Sequence, residues 1–103
     1  MAARKIIITD TSFSDGAPLE AGRDAYIMTL REKIEAAKRL DQAGVNIIES
    51  GRAGFTRADA EEVVAIAGNV AHMTVAAFCA PVAAEVDAAI VALAPSPRRR
   101  IHL

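Results

Sequence analysis

Short apolar runs alternate with capped amphipathic stretches along the whole of this 103-residue chain. That alternation constrains the fold more than any other feature. A strand, a helix and a second strand in succession call for parallel pairing, because the helix carries the chain back to the starting edge of the sheet. The connection has one favoured hand, so repeated units build a parallel sheet in sequential order. Residues 5–9 form the first expected strand, within which Ile6-Ile7-Ile8-Thr9 reads as a buried run. Residues 45–48, 73–78 and 100–103 supply three more. Between them, Thr29-Leu30-Arg31-Glu32 has the capping-box pattern, with Ile34, Ala37 and Leu40 at helical spacing up to Gly44. Thr56 caps a second helix to Ala67, with Ala60, Val63, Val64 and Ala67 inward and Gly68-Asn69 closing it. Pro81 opens a third, with Val86, Ile90 and Leu93 inward, and Pro95-Ser96-Pro97 stops it. The expected architecture is α/β, with about four parallel strands and three helices in a single domain over residues 1–103.

Composition narrows the class. The chain can bury one small core but not two. Its apolar content is mostly Ala, Val and Ile with 4% aromatics, the usual material of parallel strands covered by helices. A formal charge of −1 offers no electrostatic case for nucleic acid or an anionic membrane. The run Arg98-Arg99-Arg100 stands apart, as a solvated approach to a strand or as an anion or partner contact. Cys79 is the one cysteine, so an intramolecular disulfide and a cysteine metal cluster are both excluded, and a core position is expected. No apolar run is long enough to span a bilayer, and the first residues lack the pattern of a signal peptide. The expected compartment is the cytoplasm.

The chemistry-bearing stretch is Asp10-Thr11-Ser12-Phe13-Ser14-Asp15-Gly16, which follows the first strand. Parallel α/β sheets place their reactive groups in the loops after the carboxyl ends of strands. Glu49 stands at the same point after the second strand. Asp15 in an Asp-Gly pair reads either as a turn residue or as an oxygen ligand for a hard cation. Glu49 reads either as a group that handles protons or as the partner of a nearby base, for which Arg52 is the candidate.

The stretch from Asp10 to Gly16 resembles the Asp-Thr-Thr-Leu-Arg-Asp-Gly signature of the metal-dependent condensing enzymes and lyases that include 2-isopropylmalate synthase, homocitrate synthase and HMG-CoA lyase. The likeness continues through Glu32-Lys33 and Leu40-Asp41, through residues 45–51 against Val-Asp-x-Ile-Glu-Ala-Gly, and through residues 74–80 to Arg100-Ile101-His102. It implies the first half of a (β/α) TIM barrel, so that a fourth strand ending at the last residue is expected of a longer design cut short. It implies that Asp15 is a ligand of a divalent cation (Mg, Mn or Zn) and that Glu49 is a catalytic acid near the signature arginine. It implies a Claisen-type condensation of acetyl-CoA with a 2-oxo acid, in which a base removes a methyl proton and the enolate attacks a polarised ketone.

Several positions depart from that pattern. Ser14 replaces the arginine, whose fixed charge and forked geometry a hydroxyl cannot supply. Ala17-Pro18 stand where the family has Glu-Gln, the stretch to Thr29 is longer, and Ala80 falls where many members carry arginine. The family's second-half His-x-His pair is missing. His102 matches a family histidine or is simply exposed, and His72 is expected on the surface at the opposite end of the sheet. The expectation is a 2-isopropylmalate synthase-like segment that is inactive as this chain alone and associates as a homo-oligomer or with a complementary half-barrel chain. The alternatives are a non-catalytic dimerisation or regulatory module, and part of a split lyase or aldolase of the same superfamily.

Overall fold

The computed structural model describes residues 4–15 and 28–103, with the backbone alone described at Ser14 and Asp15. The order is β1 (Thr9–Asp10), α1 (Ser12–Asp15), α2 (Leu30–Gln42), β2 (Ile47–Glu49), α3 (Arg57–Ala67), β3 (Thr74–Phe78), α4 (Ala83–Leu93) and β4 (Arg99–His102). The four strands form one sheet in the order β1-β2-β3-β4, and every pairing is parallel. Sequential order with a helix in each crossover is the arrangement of a partial TIM barrel, as the strand–helix alternation predicts. Consecutive helices touch, α2 against α3 and α3 against α4, forming a layer over the sheet.

The helix ends follow local chemistry. Thr29 Oγ1 accepts from the Glu32 amide at 3.2 Å, and Glu32 Oε1 accepts from the Thr29 amide at 3.1 Å. This reciprocal pair satisfies two donors that the first turn would otherwise leave open. At the other end Gly44 takes φ +90°, and the amides of Gly44 and Val45 donate to the carbonyls of Asp41 and Leu40. Such a left-handed closure favours glycine. In α3, Thr56 Oγ1 accepts from the Asp59 amide at 3.1 Å. α4 has no side-chain cap at Val82; instead Glu85, in its first turn, accepts from the Ala80 amide at 2.7 Å.

The register separates the two faces of the sheet. Val75 pairs with Ile48, and Ala77 with Ile101. This row joins Val63, Ile66, Ala89 and Leu93 in the core between sheet and helices. The alternate positions, Glu49–Ala76–Arg100 and Phe78–His102, point to the opposite, inner face. Cys79 is buried, as its apolar context indicates.

Three expectations are corrected. The run Ile6-Ile7-Ile8 is not a buried strand: these residues are 79%, 58% and 55% exposed, and β1 begins only at Thr9. Among the described residues β1 is an edge strand, paired with β2 alone. Ile90 is 54% and Val64 42% exposed; Ala89, Ala92 and Ile66 take the inward places. Both helices are rich in alanine and valine, so their apolar stripes are too broad to fix the buried face by composition.

Candidate functional site

All four strands run the same way, so their carboxyl ends gather at one end of the sheet. β1 delivers Asp10, whose Oδ1 accepts from the Ser12 amide at 3.0 Å and whose Oδ2 accepts from Ser12 Oγ at 3.2 Å. Asp10 thus caps the short turn α1 that carries Ser14 and Asp15. Asp15 therefore has its main chain beyond the same end of the sheet as Glu49, the last residue of β2; its side chain lies outside the described residues.

Glu49 is half-buried on the inner face, level with Ala76 of β3 and Arg100 of β4. Phe78 and His102 form the next row toward the carboxyl ends, about 6.6 Å further along the strands. His72 lies just before β3, at the opposite end, and is exposed. Ser50 is 2% exposed and is held by two bonds to the Ala76 carbonyl, from its amide and from its hydroxyl, both 2.7 Å. Gly51 follows with φ +140°, and its carbonyl accepts from the Phe78 amide at 3.0 Å. These bonds fasten the loop after β2 to β3.

Arg52 does not pair with Glu49. Its Nη2 donates to Glu85 Oε1 at 2.7 Å and its Nε to Glu85 Oε2 at 3.3 Å, a forked pairing to the first turn of α4. The guanidinium also lies 5.1 Å from the centre of the Phe55 ring. The bond from Arg52, aided by the Ala80 amide and opposed by desolvation, holds the Glu85 carboxyl below the ordinary range. The same bond to Glu85, again against desolvation, raises the Arg52 pKa. Loop and helix approach closely here: a Cβ on Gly54 would meet Glu85 Cγ at 2.8 Å and its Cα at 2.9 Å. Glu85 and Gly54 thus organise the loop cluster, although neither belongs to a recognisable motif. A Glu in the first turn of an otherwise uncapped helix was the one visible signal. Such a carboxylate accounts for the bond from the Ala80 amide but not for the pairing with Arg52.

The HMGL-like family matches this chain over residues 5–103. The chain belongs to the HMGL-like family. Among similar proteins are the 2-isopropylmalate synthases of Neisseria meningitidis serogroup A, 37% identical over 97% of this chain, and of Halalkalibacterium halodurans, 38% identical over 97%. A third, from Campylobacter concisus, is 34% identical over 99% of the chain. The chain spans 19% of the length of each of these relatives. The HMGL-like family is metal-dependent in general, which sets a test for the residues present. A hard cation takes six or more oxygen ligands, several of them from the protein. Among the described residues, no group of three or more His, Cys, Asp or Glu could hold a metal ion. These residues do not by themselves build such a site. Among them, too, no helix is long and apolar enough to cross a membrane.

Proposed function

We propose that this chain is a 2-isopropylmalate synthase-like half-barrel that carries part of a condensing site and does not turn over alone. The parent chemistry is the metal-dependent Claisen condensation of acetyl-CoA with a 2-oxo acid. In this reading Asp15 is the chain's contribution to a divalent cation site and Glu49 is its catalytic acid. Glu49 ends β2 and Asp15 follows the carboxyl end of the adjacent β1, the end of the sheet where barrel enzymes work.

The commitment of Arg52 to Glu85 carries the argument for inactivity. An enolate oxygen needs fixed positive charge where its own charge develops. Ser14 supplies none, and the guanidinium on the neighbouring loop is already neutralised by a forked carboxylate. Glu49 has no ion pair among the described residues, consistent with a carboxylate whose cationic neighbour has been lost.

A second reading, an assembly module, is supported by the strand order, in which β1 and β4 each pair with one strand among the described residues. In it the chain associates with another copy or with a complementary half-barrel chain, and the site is completed only there. Calorimetric titration with Mn2+ tests the proposed incomplete cation site. The expected result is no saturable binding, unchanged by Asp15→Asn. One-to-one binding abolished by that substitution would mean that the chain builds a complete site by itself.

A further inference from the structure

The Glu85 carboxylate is held in the way that a bound ligand is held. Arg52 Nη2 donates to its Oε1 at 2.7 Å and Arg52 Nε to its Oε2 at 3.3 Å, while the Ala80 amide donates to Oε2 at 2.7 Å. A forked guanidinium and a main-chain amide are donors with which proteins recognise carboxylates. They come from the loops that follow β2 and β3, at the carboxyl end of the sheet. The acceptor comes from elsewhere, the first turn of α4. A single bond would fasten loop to helix; here the donors engage both oxygens.

The surroundings suit a small anion. Gly54 leaves no spare room beside the Glu85 stem, since a Cβ there would meet Glu85 Cγ at 2.8 Å and Cβ at 2.9 Å. The Phe55 ring centre lies 5.1 Å from the guanidinium and adds an apolar wall. The place is also open to solvent: the Arg52 side chain is 36% and that of Glu85 19% exposed. Cutting Glu85 back to its Cβ would remove a methylene and a carboxylate, the outline of acetate, and would leave those donors behind.

We propose that Arg52 and the Ala80 amide form a carboxylate-binding site that Glu85 fills from within, so that the chain carries its own competitor for small carboxylates. Tethering gives Glu85 a high effective concentration, so a free carboxylate enters only when that side chain turns away or is removed. The site stands on this geometry alone. Its natural competitor is assigned by the condensing reading, on which this one clause rests: a 2-oxo acid, itself a small carboxylate. The Arg52–Glu85 pair is then an autoinhibitory contact.

Amide NMR spectra of the full chain, titrated with sodium acetate against sodium chloride at equal ionic strength, provide the test. Glu85→Ala should show a saturable, acetate-dependent shift of the Ala80 amide and Arg52 Nε signals. Adding Arg52→Gln should weaken that binding at least about tenfold, because the charged fork is lost. The unaltered chain should show no saturable shift over the same range. A folded Glu85→Ala without a saturable shift overturns the proposal. So does a shift that survives Arg52→Gln, or one equally strong in the unaltered chain. None of these results touches the condensing reading, because acetate probes the site and not the reaction. Should Glu85→Ala unfold by circular dichroism, Glu85→Ser replaces it, with the same expectations.

Discussion

Removing the Asp41 carboxylate should destabilise the chain substantially, although the position is partly exposed. Asp41 closes the last turn of α2 and reaches the loop before β3, where it accepts from the amides of Ala71 at 2.8 Å, His72 at 3.2 Å and Met73 at 2.7 Å. From the other side Arg98 Nη1 donates to the carbonyls of Ala71 and His72, at 3.5 and 3.4 Å. One carboxylate thus ties helix, loop and strand together at the end of the sheet away from the candidate site. In Asp41→Ala, water can reach the exposed amides of Ala71 and His72, at a cost of about 0.5 kcal/mol each. Met73 is 1% exposed, and an orphaned donor there costs about 1–3 kcal/mol. The sum is about 3 kcal/mol, roughly a 12–24 °C fall in Tm for a domain of this size. Asp41→Asn keeps one acceptor oxygen and should lose about 1 kcal/mol. The sign of the pH dependence follows from the carboxyl group. Burial pushes its pKa up, but the three amides outweigh that and leave it lowered. A lowered folded-state pKa stabilises above the ordinary Asp value of about 3.9, and that contribution disappears as pH falls through the folded value. Urea denaturation followed by circular dichroism, from neutral pH to pH 3, checks both claims. A midpoint for Asp41→Ala equal to that of the unaltered chain at neutral pH would refute the reasoning.

Gly54→Ala places a methyl group against the Glu85 backbone and should cost about 1–3 kcal/mol, measured as a lower urea midpoint. Glu85→Gln keeps the shape but removes the charge that holds Arg52, so amide exchange should quicken in residues 51–55 and at Ala80. In the unaltered chain the same pairing should weaken as pH falls below the ordinary Glu range, because the Glu85 pKa is lowered. Thr29→Ala loses half of a reciprocal cap and should cost about 1 kcal/mol by thermal unfolding.

Strand order, parallel sense and helix starts could be read from the sequence, because each rests on local chemistry. Thr29 with Glu32, Thr56 with Asp59 and Gly44 all act within a few residues of themselves. Which side chains are buried depends on what lies across the sheet. Ile6-Ile7-Ile8 has the composition of a central strand but sits at an edge, and nothing within the run records that. For the same reason Ile90 and Val64 were placed inward. At the candidate site, the placement of Asp15 and Glu49 at one end of the sheet followed from strand polarity. The Arg52–Glu85 pairing joins residues 33 positions apart and was hidden. Glu49, three residues from Arg52, was the nearer acid in sequence, but its side chain belongs to the inner face of the sheet.

Release of CoA thiol from acetyl-CoA in the presence of a 2-oxo acid and Mg2+ or Mn2+ tests the central claim most directly. With the chain as sole protein, the account predicts a rate no higher than the mixture without it, because Arg52 is committed to Glu85 and no group of the described residues makes a full set of metal donors. Metal-dependent thiol release that requires Glu49 would contradict it.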